Sequence, residues 1–159
     1  MSNAHAAVGA RLEFEFEYQA TVKPPVAIGP GPHGMRMFFE TLDGEVVGER
    51  ISGRVLSGGG DWFLIGPDGW GRLDARAQFE TSDGAVIYAY YTGHVEMNEA
   101  VQGAVAAGGG TQYEDQYMRA AVQLETGDPR YAWVNHSVFI YQGRFAPDSG
   151  VQARIYRVT

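Results

Sequence analysis

Along residues 11–22 the chain alternates Leu12, Phe14, Phe16 and Tyr18 with Glu13, Glu15, Glu17 and Gln19. A period of two sends the two sets to opposite faces of an extended backbone, so the stretch predicts a strand with one wet face. The same beat returns in residues 71–81, where Leu73, Ala75, Ala77 and Phe79 share one face and Arg72, Asp74, Arg76, Gln78 and Glu80 the other. Residues 85–95 read as its antiparallel partner, joined to it across Ser82-Asp83-Gly84. Residues 35–42 and 45–56 read as two strands joined by a hairpin turn at Asp43-Gly44. Gly58-Gly59-Gly60 makes a corner before a short strand at 61–65, and Pro67-Asp68-Gly69 a turn. Three further strands, 117–125, 133–145 and 151–158, are divided by Gly127-Asp128-Pro129 and by the turn residues of 146–150.

Two stretches break the rhythm. Pro24-Pro25 and the run from Gly29 to Gly34 lack the donors for a strand ladder and predict a crossing loop. Within 96–116, Asn98 is placed to cap a helix over 99–107 that Gly108-Gly109-Gly110 would end, an inserted helix with a lid-like loop. Residues 1–10 predict a disordered tail, and 11–159 one all-β domain of eight or nine antiparallel strands, a closed barrel or a sandwich.

Composition narrows the chemistry. With no cysteine, thiolate catalysis, disulfides and thiolate zinc sites are excluded. A net charge of −7 with a single lysine, Lys23, argues against a nucleic-acid partner. No stretch reads as a signal peptide or a membrane span, and the expected setting is cytoplasmic. Neither glycine triplet leads into Lys-Ser or Lys-Thr, which removes a phosphate cradle, and Ser52 and Ser137 lack a nucleophile elbow. No histidine pair has metal-ligand spacing, so neither metal nor cofactor is expected. His33 falls in the proline and glycine loop. His94 and His136 fall on expected strands, as packing residues or as general bases.

The phrases GPHGMRMFFE, ISGRVLSGGGDW, PDGWGRLDARAQFETSDGAVIY and ETGDPRYAWVN resemble those of a bacterial family of unknown function, numbered 3237 among such domains, over nearly all of residues 11–158. Val122, Gln123, Leu124, His94 and His136 depart from the family pattern. The resemblance implies an antiparallel eight-stranded closed barrel similar to that of the allene oxide cyclases, often self-associating. By itself the polar face of residues 72–80 fits either side of such a wall. The recurring Asp-x-Arg phrase favours the inside, where buried charge must pair, with Arg54 and Arg119 as partners of Asp74 and Arg76.

On that view the chain is a cofactor-independent isomerase, cyclase or lyase acting on a small apolar or aromatic molecule. Arg54 and Arg76 polarise a carbonyl or carboxylate, Asp74 orients them or takes a proton, and Tyr88, Tyr117 or His136 completes the acid-base pair. Asp61, Trp62, Arg119, Tyr131, Trp133 and Asn135 are the expected substrate contacts. A barrel that binds without turnover and a structural homo-oligomeric subunit are the alternatives.

Overall fold

A computed structural model of the chain describes residues 9–148 and 150–159; the expected tail lies, over residues 1–8, outside them. Ten strands form one antiparallel sheet, closed because β1 (Leu12–Val22) pairs with β10 (Gly150–Val158) on one side and β3 (Gly34–Gly48) on the other. From β10 the wall runs through β9 (Phe139–Ala146), β8 (Met118–Glu125) and β7 (Val86–Glu96) to β6 (Trp70–Thr81).

Two wall strands are broken. β2 (Val26–Gly31) continues the line of β1 along β3: Val22 faces Thr41 and Val26 faces Phe38, with Pro24-Pro25 at the break. β4 (Gly53–Val55) and β5 (Gly60–Ile65) likewise lie end to end between β3 and β6. With each broken pair taken as one strand the barrel has eight, the expected number, and a closed wall leaves few backbone groups unpaired.

Several local expectations are corrected. The predicted loop after Pro25 contains β2. Pro30 is tolerated there because β2 has a neighbour on one side only, and Gly29, at φ +100°, makes the bulge. No hairpin forms at Asp43-Gly44: β3 runs through, paired with β1 on one side and β4 on the other, and Gly44 lets β1 approach closely, since a Cβ there would lie 2.0 Å from the Gln19 carbonyl oxygen. The strand predicted from 133 starts at Phe139, because Pro129–His136 is a 3-10 segment started by Asp128, whose side chain accepts from the Arg130 N–H at 2.9 Å. A bulge between Phe14 and Phe16 turns Leu12 and Phe14 outward and buries Glu15, whose carboxylate is held by Arg50 and by Arg157 Nε at 2.9 Å.

The helix forms as expected, one residue shorter. α1 (Glu99–Ala106) is capped by Asn98, which accepts from the Val101 N–H at 2.9 Å, and Gly108 follows at φ +71°. Its one buried residue, Val101, pins it down. Inside the wall, Phe16, Phe79, Ile87, Phe139, Tyr141 and Ile155 form the packed floor of the barrel. Among the described residues no helix is long and apolar enough to cross a membrane.

Candidate functional site

The barrel is filled at one end and hollow at the other. A cavity of about 410 Å³ remains, a volume typical of small-molecule sites. Its walls are the inward residues of the alternating strands: Ala20 and Val22 on β1, Met37 and Phe39 on β3, Phe63 on β5, Leu73 and Ala77 on β6, Val95 on β7, and Met118 on β8. It opens where exposed residues join the lining, at Lys23 and Pro25 beside the β1–β2 break and at Val105 and Gly108 at the end of α1.

Besides Thr41 and, at the mouth, Lys23, the polar side chains among the described lining residues are Asp61, Tyr18, Tyr91 and Tyr141. Asp61, the second residue of β5, lies on the same face as Phe63 and is directed inward by strand alternation. Its Oδ1 accepts from the Asp74 backbone N–H at 2.9 Å across the β5–β6 pairing. Burial first, and then the charge of Asp74, push its carboxyl up from 3.8 to about 7, while that hydrogen bond and Arg36 pull the other way. Tyr18 on β1 donates its hydroxyl to Tyr91 on β7, 3.1 Å away, and Tyr91 stacks on Tyr141 of β9 with ring centroids 5.4 Å apart. Tyr141 in turn reaches the Met118 sulfur at 3.6 Å. Burial raises all three phenols, Tyr91 to about 12, and the charge of Asp61 adds to the rise. The site therefore holds one acid that titrates near neutrality and three phenols that stay protonated, acting as hydrogen-bond donors.

The expected charge network is not in the cavity. The polar face of β6 looks outward, because its other face, Leu73, Ala75, Ala77 and Phe79, fills the interior, and burying the charged one would have cost far more. Arg54, 65% exposed, pairs with Glu80 at 2.9 Å on the outer wall. Asp74 and Arg76 lie outside at half exposure with 3.9 Å between them, and Arg76 rests over the Tyr90 ring. Tyr88, Tyr117 and Trp62 are likewise outward and exposed, Trp62 stacked on Phe38 and Tyr117 edge-on to Trp70. Arg119 sits outside over Tyr117.

Tyr131, Trp133, Asn135 and His136 belong to the 3-10 segment rather than to a strand and do not reach the cavity. Tyr131 donates to Asp83, Trp133 packs under Arg50, and Asn135 satisfies both backbone groups of Thr126. His136, like His33 and His94, is exposed. Of the twelve expected site residues, Asp61 alone lines the cavity. Tyr18, Tyr91 and Tyr141 are not among the twelve, although each is a polar-tipped residue at an inward position of an alternating strand, which is the signal that finds them. Among the described residues no three His, Asp or Glu side chains converge as a metal site.

Comparison with known proteins gives the same architecture. The family model described as "Protein of unknown function (DUF3237)" matches residues 10–158. A UPF0311 protein of Rhodopseudomonas palustris is 33% identical over 132 residues, 80% of this chain and 84% of that protein. The crystal structure of a conserved protein of unknown function from Rhodopseudomonas palustris superposes with a TM-score of 0.84 at 28% identity, covering 95% of this chain and 98% of that one. An enzyme from Penicillium herquei shares the fold at a TM-score of 0.69 and 19% identity, with 94% and 95% covered.

Proposed function

This chain belongs to the DUF3237 family of proteins of unknown function, and from the cavity its barrel encloses we propose that it is a proton-transferring isomerase, cyclase or lyase. The substrate is a small, largely apolar molecule, and no cofactor takes part. The observation that carries this reading is Asp61: a carboxyl at about 7, set in an apolar cavity and facing a hydrogen-bonded pair of phenols. A base with that proton affinity is half ionised near neutral pH and can both take and return a proton.

Ionised Asp61 removes a proton next to a carbonyl, and the electron pair moves onto the carbonyl oxygen. Tyr91 is the donor for that oxygen. Because its own oxygen accepts the Tyr18 hydroxyl, its proton is left to be given, and it becomes a better donor for being donated to. Return of the proton to another atom completes an isomerisation, attack of the anion within the same molecule closes a ring, and departure of a leaving group makes the reaction a lyase step. The apolar walls keep water out, which strengthens both interactions. That a neighbour sharing the fold is described as an enzyme supports the reading.

The test is deuterium exchange from heavy water into a panel of enolisable ketones such as 2-tetralone, followed by NMR. Wild-type protein is expected to exchange at least one of them and Asp61→Asn to do so about 100-fold more slowly. Exchange that survives the substitution overturns the role of Asp61. A protein that binds the panel and exchanges none of it is a binding barrel.

A further inference from the structure

We infer that the cavity admits uncharged ligands whose oxygen becomes negative only as they react, and turns away carboxylates and phosphates of the same shape. The inference deepens the proton-transfer reading and names the substrate class of the same site. Two charged side chains line the cavity, Asp61 and Lys23. Lys23 stands at the mouth, half exposed, and its Nζ is already bound to Glu40 at 2.8 Å. Among the described residues the interior therefore offers an anion no cation.

The groups around Asp61 agree. On β6 the Asp74 carboxylate adds its negative charge from the outer side of the wall, and from β1, β7 and β9 come the three phenols, none of which can become positive. From β3 comes Arg36, but its side chain lies on the outer side of the wall, where Nη1 donates to the Trp62 carbonyl at 2.7 Å. No arginine is in the lining among the described residues: Arg50 and Arg157 are committed to Glu15, Arg154 to Glu17 and Arg144 to Gln152.

A carboxylate entering this space would sit beside an ionised Asp61 without a counter-ion. At about 5 Å and an effective dielectric of about 20, that repulsion alone weakens binding by about 300-fold. A ketone or amide meets none of it, and its single acceptor oxygen matches the free donor of the Tyr18–Tyr91 pair.

Three ligands of nearly one shape separate these cases: 2-acetylnaphthalene, 2-naphthamide and 2-naphthoate, titrated against the full chain by fluorescence and calorimetry. At about pH 8.5, where Asp61 is ionised, the two neutral compounds are expected to bind and naphthoate to bind at least about tenfold more weakly. At about pH 5.5, where Asp61 is protonated and naphthoate still charged, the gap should narrow. In Asp61→Asn the ratio should be the same at both pH values, and retained binding of 2-acetylnaphthalene reports that the variant is folded.

The wild-type pH comparison carries the same prediction with no substitution at all. Naphthoate binding as tightly as the neutral pair at the higher pH overturns the inference, as does a ratio in the wild type that ignores pH, or failure of all three to bind. Equal binding of naphthoate alongside Asp61-dependent deuterium exchange defeats this inference alone. Exchange independent of Asp61 defeats only the proton-transfer reading.

Discussion

Asp61 works against the stability of the fold it serves. Its carboxyl rises from 3.8 in the unfolded chain to about 7 in the folded one. Between those values the native state binds the extra proton, so stability is fully present below about pH 4, falls as pH rises toward 7, and is then level. The shift corresponds to at most about 4 kcal/mol. Asp61→Asn, which cannot ionise, is therefore expected to be more stable than wild type at about pH 8, by a few kcal/mol at most, and about equal near pH 4. Urea unfolding of both proteins at the two pH values measures the difference; a variant no more stable at the higher pH would show that the carboxyl is not strained by burial. At this scale little was legible in the sequence. Asp61 reads as the first residue of a short strand after a glycine corner, and nothing in its neighbours distinguishes it from the outward Asp74. What separates them is which residue begins the inward set, and that is decided by strands distant in the chain.

Among the elements, alternation was legible wherever the strand was regular. It sorted β6 correctly into its two sets. It could not say which set faces in, and the Asp-x-Arg phrase pointed the wrong way; the cost of burying four charges in one strand was the better guide. Where the backbone departs from regular pairing the reading failed, at the β1 bulge that exposes Phe14, at β2 with its Pro30, and at the 3-10 segment that took Trp133 and His136 out of a predicted strand. The helix was legible because its signals are local, an Asn at the start and a glycine run at the end. Eight residues do not hold a helix in water, so α1 rests on that cap and on buried Val101. Asn98→Ala is expected to cost about 1 kcal/mol, seen as faster amide exchange confined to α1 and its flanks while β6 and β7 keep their protection. Equal loss of protection across the wall would show that the helix is not a separate unit.

At the scale of the molecule, closure is the property on which the cavity depends. β3 is the hinge of that closure, pairing with β2 and β5 along its first part and with β1 and β4 along its second. Gly44 pairs with β1 on one side and β4 on the other, and any side chain there would strike the Gln19 carbonyl of β1. Gly44→Ala is accordingly expected to destabilise the barrel by about 3 kcal/mol, measured by thermal unfolding, and a neutral result would mean that the wall can relax there. Eight or nine antiparallel strands were legible from strand count and turn spacing, and their closure into an eight-stranded barrel from the family phrases. The hollow was not, because it depends on how many small inward residues, such as Ala20 and Ala77, gather at one end. The opposed demands on Asp61 carry beyond the test tube. A lineage under pressure for heat tolerance and nothing else would discard this aspartate early, so a hot-spring relative that still carries it would be one that needs the carboxyl itself.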